Sequence, residues 1–313
     1  MNSRFRFLLI ILSLTLLTSC QAQDNTKDKS DFPVLTGSYL GQKPPEMKPE
    51  IFAPGIISTE KSAEYGGHFS PDGSEFFFTR YSPGKQGKLW MTRLENDNWT
   101  LPQVVSFLEG YHGVESCMSP DGNQLFYVWY DSESEDFLHN IYVIERIGKK
   151  WGVPHKLTKT DLGSRRISPS VARSGNLYFS GDFDEPGQKD IYCSRLINGE
   201  YSTPQNLGLS VNSTYHEEHV SVSPDEKYLL FDSYRPNEYG KSDIYVSYRM
   251  KDGTWSEARN LGPTVNSEHY DWYPIATPDG KYIIFSRTLP SIKINLYWVD
   301  TKIIEEFKPE ELK

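Results

Sequence analysis

Charged residues recur a few positions before a repeated Ser-Pro-Asp-Gly segment, and these are the residues whose types and spacing could do chemistry. The segment occupies residues 70–73 and 119–122, and variants of it occupy 168–170, 223–226 and 277–280. Five to seven residues before the prolines stand Glu64, Glu115, Glu217, Glu218, His219 and Asp271. Arg165 and Arg166 precede the third proline more closely. If the repeats close into a ring, these side chains converge on one rim of it.

A rim of charged groups and aromatic rings suits a polar ligand such as a glycan or a peptide, because the rings stack on the ligand and the charges orient it. The aromatic candidates are Tyr65, Tyr111, Tyr215, Tyr270 and Trp272. We therefore predict a ligand-binding site made of Glu64, Glu115, Arg165, Arg166, Glu217, Glu218, His219, Asp271 and Trp272. The competing interpretation is that loops of an acidic protein are rich in Asp and Glu, and that the arginines only neutralise them.

The same carboxylates raise the question of catalysis. Two carboxyl groups about 5 to 9 Å apart can serve as acid and base, or as acid and nucleophile, in glycoside hydrolysis. Glu64, Glu217 and Asp271 are the catalytic candidates for such a glycan-acting hydrolase. The motifs that surround these carboxylates in known hydrolases are missing, and so are a Gly-x-Ser-x-Gly segment, a P-loop and a dinucleotide fingerprint. We expect a binding protein without a cofactor. The alternatives are this hydrolase and a scaffold whose partner binds the outer edges of the blades.

Two acidic clusters could suit calcium, which prefers carboxylate and carbonyl oxygens. The first contains Asp182, Asp184 and Asp190, and the second contains Asp131, Glu133, Glu135 and Asp136. Both stand in hairpin loops, where solvated acidic residues are the ordinary finding. His216 and His219 are three residues apart on a strand or loop rather than on a helix, which disfavours zinc. We therefore predict no metal site.

Short strands joined by turns must position these residues. Ser, Pro, Asp and Gly in this order favour a type I turn between two strands. An aromatic strand follows each turn, at residues 76–78, 125–127, 177–179, 228–231 and 282–285. A third strand is centred on Trp90, Tyr142, Tyr192, Tyr245 and Tyr297. In four repeats a fourth strand opens with Trp99, Trp151, Tyr201 or Trp255.

The repeats recur every 49 to 55 residues, which is a period of propeller blades rather than of helical solenoids. The fifth repeat lacks a fourth strand, whereas residues 50–57 have the fourth-strand pattern without three strands before them. A strand from this segment would complete the last blade and leave no unpaired sheet edge. We predict an all-β fold, a single β-propeller of about five four-stranded blades over residues 50–304, with six blades as the alternative. A short tail over residues 305–313 follows.

The Ser-Pro-Asp-Gly turn, the aromatic strand after it and the Asp-Ile-Tyr of residues 190–192 and 243–245 resemble the WD-like repeat of TolB-type propellers. The resemblance covers residues 50 to 304, and the third repeat departs from it with Ser170 and Val171 in place of Asp and Gly. Such repeats recur in periplasmic and lipid-anchored proteins of Bacteroidota-like bacteria. The resemblance implies the fold but no reaction, because propellers serve both binding and several chemistries.

The N-terminus has the features of a bacterial lipoprotein signal. Arg4 and Arg6 precede an apolar run of about eleven residues, which is too short to span a bilayer of about 30 Å as a helix. The Leu-Thr-Ser-Cys of residues 17–20 resembles the lipobox, in which the cysteine receives the lipid. This resemblance implies a signal peptide over residues 1–19, a lipidated Cys20 and a flexible tether up to residue 49. Gln21 favours the outer membrane, on its periplasmic or outward face.

The charge of the chain excludes a class of partner. The net charge of −9 becomes −11 when the two positive charges of Arg4 and Arg6 leave with the signal peptide. Such a surface repels nucleic acid and anionic lipid, so we predict no nucleic-acid partner and membrane contact only through the lipid. The expected partner is an envelope protein or polysaccharide. Cys117 and Cys193 fall in non-equivalent strands, which favours buried free thiols over a disulfide.

Overall fold

Five antiparallel sheets, one for each repeat, form the protein in a computed structural model. The structure describes residues 33–82, 84–108, 113–130, 139–148, 150–158, 166–183, 188–290 and 293–313, without the side chains of Tyr130 and Arg166. The sheets are the four-stranded blades of a five-bladed β-propeller, and the outer strand of blades 1 and 2 is divided into two short segments. The predicted fold is therefore confirmed, with five blades rather than six.

The strands follow one another along the chain, blade by blade. A short strand, β1 (Glu50–Ile51), comes first. Blade 1 contains β2 (Ala63–Phe69), β3 (Glu75–Tyr81), β4 (Lys88–Glu95), β5 (Asn98–Trp99) and β6 (Gln103–Val104). Blade 2 contains β7 (Gly113–Met118), β8 (Gln124–Tyr130), β9 (His139–Ile147), β10 (Lys150–Trp151) and β11 (His155–Lys156). Blade 3 contains β12 (Arg166–Val171), β13 (Leu177–Gly181), β14 (Asp190–Ser194) and β17 (Gln205–Asn206), with a small ladder of β15 (Leu196–Ile197) and β16 (Glu200–Tyr201).

The last two blades are more regular. Blade 4 contains β18 (Glu217–Val222), β19 (Tyr228–Ser233), β20 (Asp243–Tyr248) and β21 (Arg259–Asn260), and blade 5 contains β22 (Tyr270–Ala276), β23 (Tyr282–Thr288) and β24 (Ile294–Asp300). The helices are short: α1 (Gly262–Val265), α2 (Lys302–Glu305) and 3-10 turns at Ser38–Gly41, Ser106–Leu108 and Glu310–Leu312. Among the residues that the structure describes, no helix is both long enough and apolar enough to cross a bilayer.

The first strand of the chain closes the ring. β1 pairs antiparallel with β24, so that Glu50 lies opposite Trp298 and Ile51 opposite Tyr297. The next residue continues the contact, because the Phe52 N–H donates to the Leu296 carbonyl oxygen at 2.8 Å. Blade 5 thus takes its outer strand from the other end of the chain, as the sequence predicted.

Aromatic and aliphatic side chains fill the space between blades. The second strand of each blade is buried on both faces because a neighbouring blade packs on either side of it. In blade 1 this strand supplies Phe76, Phe77 and Phe78, and all three have an exposed fraction of 0%. Burial of each such ring contributes about 1.5 to 3 kcal/mol. This explains why the second strands are continuous apolar runs.

The predicted turns join the first two strands of blades 1, 2, 4 and 5. In blade 1 the Gly73 N–H donates to the Ser70 carbonyl oxygen at 2.8 Å. The Asp72 carboxylate accepts hydrogen bonds from the Ser70 hydroxyl at 2.6 Å and the Ser74 N–H at 3.0 Å. Gly73 has a φ of +70°, which glycine adopts at little cost.

The turn of the third repeat was placed wrongly from the sequence. Ser168, Pro169 and Ser170 lie within β12, the first strand of blade 3. The turn comes four residues later, where the Gly175 N–H donates to the Ala172 carbonyl oxygen at 2.9 Å. Arg173 stands at the position that proline occupies in the other turns, so the sequence pattern does not mark this turn.

Residues 34–49, which were expected to belong to the flexible tether, pack on blades 1 and 5. The Trp99 indole N–H donates to the Gly37 carbonyl oxygen at 2.8 Å, and the Tyr39 hydroxyl donates to Asp279 at 2.5 Å. The Tyr39 ring also contacts Phe69 and Trp298. Residues from Val34 to Lys313 therefore form one compact unit.

Candidate functional site

A bulge interrupts the first strand of every blade at the same place. The pairing with the second strand shifts there, and the bulged residue has a positive φ. The five residues are Gly66, Glu115, Ser168, His219 and Tyr273, with φ values of 64°, 51°, 53°, 44° and 56°. A non-glycine residue in this region costs about 1 to 2 kcal/mol. Four of the five bulge residues are not glycine and carry this cost. Such strain is often found at functional sites, so the five bulges together are a candidate functional region.

The bulges also connect neighbouring blades. The N–H groups of Gly66, Glu115 and Tyr273 donate to oxygens on the second strand of the preceding blade. These acceptors are Ser286 Oγ at 3.3 Å, Thr79 Oγ1 at 3.2 Å and Asp232 Oδ1 at 3.0 Å.

Glu115, a predicted rim residue, takes part in one of these joints. Val128 occupies the position of Thr79 in blade 2 and has no side-chain oxygen. The Glu115 carboxylate replaces it and accepts the Ser168 N–H at 3.1 Å.

The three catalytic candidates, Glu64, Glu217 and Asp271, occupy equivalent positions two residues before the bulge and are all 0% exposed. Each forms an ion pair with an arginine that lies near the end of the second strand of its blade or just after it. The pairs are Glu64 with Arg80 at 2.9 Å, Glu217 with Arg235 at 3.2 Å and Asp271 with Arg287 at 2.5 Å. We call each pair a carboxylate–arginine lock.

Each lock holds the loop that enters the first strand. Glu217 accepts hydrogen bonds from the Ser213 N–H at 2.9 Å and from its hydroxyl at 2.6 Å. Arg235 donates to the Val211 carbonyl oxygen of the same loop at 2.7 Å. Thr59 and Ser267 make the equivalent bonds in the other two blades.

The locks leave these carboxylates little chemical freedom. Burial raises the pKa of both Glu64 and Asp271, and the neighbouring Arg80 and Arg287 act in the opposite direction. Their acceptor atoms are already used by arginine, hydroxyl and backbone donors. The contacts therefore favour a structural role for these residues over acid–base catalysis.

A second group of charged residues lies beside the bulge of blade 4. The His219 Nδ1 atom is 2.9 Å from Asp232 Oδ1 and 3.9 Å from Glu218 Oε2. Lys189 Nζ forms an ion pair with Glu218 Oε1 at 2.6 Å. Burial alone lowers the pKa of His219, but the carboxylates of Asp232, Glu218 and Glu115 together raise it above its ordinary value. We call Lys189, Glu218, His219 and Asp232 the blade-4 cluster.

A row of rings leads from the surface to this cluster. Tyr81, which is 36% exposed, stacks on Tyr65 with ring centroids 5.8 Å apart. Tyr65 contacts Trp272 at 5.0 Å, and Trp272 contacts the His219 ring at 5.0 Å. The Trp272 indole N–H donates to Thr288 Oγ1 at 3.0 Å, which fixes the ring. We call Tyr81, Tyr65, Trp272 and His219 the aromatic row.

Tyr273 lies at the inner end of this row. Its ring is 4.8 Å from that of His219 and packs on Gly66, where an added Cβ would come 3.2 Å from the tyrosine ring. Gly66 is thus required both by this close approach and by its positive φ.

Part of this arrangement was predictable from the sequence. Glu218, His219, Trp272 and Tyr65 were predicted, and the structure brings them together. Lys189, Asp232 and Tyr273 adjoin them and were not predicted. Asp232 lies at the second-strand position that Thr79 and Ser286 occupy in blades 1 and 5. A polar residue recurs at this position, and this recurrence is the sequence signal that could have identified Asp232.

Other predicted residues lie elsewhere or outside the description. Tyr270 contacts Tyr234 at 6.3 Å and carries Lys241 over its face at 5.3 Å, whereas Tyr215 is exposed. Arg166 begins β12, but its side chain is not described. Cys20, Tyr111, Arg165 and the acidic residues Asp131, Glu133, Glu135, Asp136 and Asp184 lie outside the described residues. Cys117 and Cys193 are free thiols.

Glu218, His219 and Asp232 offer ligand atoms within 4.8 Å of one another, a geometry that could hold a metal ion among the described residues. The His219 ring is paired with Asp232, and Glu218 is paired with Lys189, whose positive charge would repel a cation at this place. We therefore assign no metal to the group.

Comparisons with known proteins return weak similarities. No protein-family model matches the chain, and no curated protein matches it. The chain is similar to a protein assigned as TolB from Agrobacterium tumefaciens, with 20% identity, a TM-score of 0.48 and coverage of 76% of this chain and 77% of that one. It is also similar to TolB from Acinetobacter baumannii, with 14% identity, a TM-score of 0.46 and coverage of 76% and 54%.

A peptidase also resembles the chain. This puromycin-hydrolyzing peptidase from Mycobacterium tuberculosis has 15% identity and a TM-score of 0.43, and the match covers 79% of this chain and 38% of the peptidase. The chain thus spans well under half of the peptidase and about half of the second TolB. Similarity at this level gives no argument about activity, which must come from the site.

Proposed function

We propose that this protein is a non-catalytic binding protein of the cell envelope, anchored by a lipid on Cys20. In this proposal the mouth of the central channel binds a protein or polysaccharide ligand, and blades 4, 5 and 1 supply the contacts. The lipid anchor and the outer-membrane address are supported by the signal features of residues 1–20.

The aromatic row carries the proposal. The rings of Tyr65 and Trp272 connect the exposed Tyr81 to His219. Glu218, the residue before His219 on the same strand, forms an ion pair with Lys189. Aromatic faces supply contact area at low entropic cost, and an adjacent ion pair can orient the polar groups of a ligand.

The locks argue against a hydrolase. A glycoside hydrolase needs one carboxyl group to give a proton and another to act as base or nucleophile. Glu64, Glu217 and Asp271 are instead bonded to arginines and entering loops. The mouth is left with aromatic and ion-paired groups, which suit binding.

Binding of the full chain to a glycan array and to immobilised envelope proteins tests this proposal. We expect Trp272→Ala to weaken the binding of whatever probe is captured by at least about tenfold, the usual effect of truncating a central aromatic contact. Ile147→Ala is the matched control, because Ile147 is an exposed apolar residue at the end of β9, outside the aromatic row. Equal affinity of the unmodified chain and of Trp272→Ala would show that the ligand does not bind at the channel mouth.

A further inference from the structure

His219 lies where blades 4 and 5 meet. Asp232 Oδ1 faces both the His219 Nδ1 atom at 2.9 Å and the Tyr273 N–H at 3.0 Å. One carboxylate oxygen therefore holds the bulge of blade 4 by its side chain and the bulge of blade 5 by its backbone. Any change in the charge of the imidazole acts directly on this joint.

Carboxylates outnumber cations among the described charged groups around His219. Glu218 precedes it on β18, Asp232 faces it from β19, and Glu115 on β7 contributes through the electrostatic field. Lys189, just before β14, is paired with Glu218. The strand β22 contributes the rings of Trp272 and Tyr273. Arg166 begins the neighbouring strand β12, so a variant of it belongs in the test.

Protonation of His219 changes the balance among these groups. An imidazolium gives Asp232 a charge-assisted hydrogen bond and partly offsets the three carboxylates. A neutral imidazole removes that positive charge from between Asp232 and Glu218, whose oxygens lie within 4.8 Å of the ring nitrogen and of each other, and like charges repel more strongly in a buried site than in water. The joint is therefore tighter with the proton than without it.

We propose that His219 is a proton-controlled latch of the channel mouth, which holds blades 4 and 5 together around Trp272 and Tyr273 when it is protonated and loosens this joint when it is not. The latch itself does not depend on any ligand. Its effect on ligand binding rests on the proposed function.

The direction of the pH effect follows from the direction in which the pKa of His219 is changed. The pKa of His219 is raised above 6.5 in the folded chain. The latch is therefore engaged at and below pH 6.5 and is released as the pH rises through the folded-state pKa. Mildly acidic surroundings hold the mouth, and alkaline surroundings loosen it.

Two measurements on the full chain test the latch without a ligand. The first is an NMR titration of the histidine side chains, with His219 assigned from His219→Gln. The second is the emission that belongs to Trp272, obtained as the difference between the chain and Trp272→Phe over about pH 5 to pH 9. We expect His219 to titrate above 6.5 and the Trp272 emission to change with the same midpoint.

The variants separate the latch from general effects of pH. His219→Gln should abolish the change in Trp272 emission, whereas His155→Gln should retain it, because His155 is exposed on β11. Arg166→Gln should retain the change and shift its midpoint at most. A His219 that titrates below 6.5, or a Trp272 emission that is flat across the range, would overturn the latch.

The captured probe of the binding experiment then tests the coupling. We expect its affinity to fall severalfold through the same midpoint in the chain and to be independent of pH in His219→Gln. If no probe binds, the proposed function fails while the latch is still decided by the NMR and emission data.

Discussion

Single residues show where the repeat is imperfect and how the structure compensates. Glu226 occupies the turn position that is glycine in the other repeats, and it has a φ of +56°. Its carboxylate accepts hydrogen bonds from the Tyr178 hydroxyl at 2.6 Å and the Asn176 amide at 3.0 Å, both in blade 3. Hydrogen bonds to a charged group contribute about 1.5 to 3 kcal/mol each, so the two together outweigh the backbone cost of about 1 to 2 kcal/mol. The imperfect residue thus binds two blades together.

His68 provides a prediction at the same scale. Burial lowers the pKa of His68 to about 4 in the folded chain, against 6.5 for the free side chain. Between these values the unfolded chain binds a proton that the folded chain does not, so stability falls as the pH falls from 6.5 to 4. The loss amounts to at most about 3 kcal/mol. Urea unfolding at pH 7 and at about pH 4.5 should show a smaller difference for His68→Gln than for the chain.

His155→Gln serves again as the control, and its pH dependence should match that of the unmodified chain. The expected effect has the opposite sign to that of His219, whose raised pKa favours folding at lower pH. Should His68→Gln lose as much stability in acid as the chain does, His68 would not be the buried neutral group described here.

At the scale of elements, the carboxylate–arginine locks connect each entering loop to its blade. They occur in blades 1, 4 and 5, whereas Gly113 and Arg166 occupy the carboxylate position in blades 2 and 3. The pairs are largely buried, so the loss of one partner leaves a charge without compensation. Such losses cost several kcal/mol, unlike those of surface pairs.

Glu217→Ala should therefore lower the free energy of unfolding by about 3 to 5 kcal/mol, because it leaves Arg235 without its carboxylate. Glu60→Ala is the matched control, since Glu60 is 90% exposed in its ion pair with Lys293 and should change stability by less than about 1 kcal/mol. Denaturant unfolding measures both. The double variant Glu217→Ala/Arg235→Ala should recover part of the loss, and a near-neutral Glu217→Ala would show that the lock is dispensable.

At the scale of the whole molecule, closure of the ring depends on a few residues before blade 1. Phe52 is 0% exposed and contacts Phe76 at 5.0 Å and Trp298 at 5.2 Å. It therefore packs on blade 1 and blade 5 at once. Loss of its ring weakens the seam where the two ends of the chain meet.

Phe52→Ala should lower the free energy of unfolding by about 3 to 5 kcal/mol, the cost of an emptied aromatic position. Because the lost contacts lie at the seam, hydrogen exchange should accelerate first in β1, β24 and β2. Phe231→Ala, equally buried in blade 4, should cost a similar amount without this preference. Uniform acceleration in both variants would mean that the seam is no weaker than the other joints.

Much of the fold follows from patterns that are local in the sequence. The turns around Pro71, Pro120, Pro224 and Pro278 and the aromatic strands after them were predictable, because turn chemistry and apolar runs act within a few residues. The position of the third turn was predicted wrongly, because Arg173 stands where the other turns have proline. The closing strand was predictable because one pattern was missing at the end and present at the start.

The sequence by itself indicated a propeller of about five blades and the strand that closes its ring, and it named Glu218, His219 and Trp272, which the structure brings close together. Only the tertiary structure decided that Glu64, Glu217 and Asp271 are paired with arginines, that the bulge has a positive φ in every blade, and that Asp232 joins blades 4 and 5. The physical reason is one of range. Turns and strands depend on neighbours along the chain, whereas the partners of a buried charge come from strands whose register and approach are set by the whole ring.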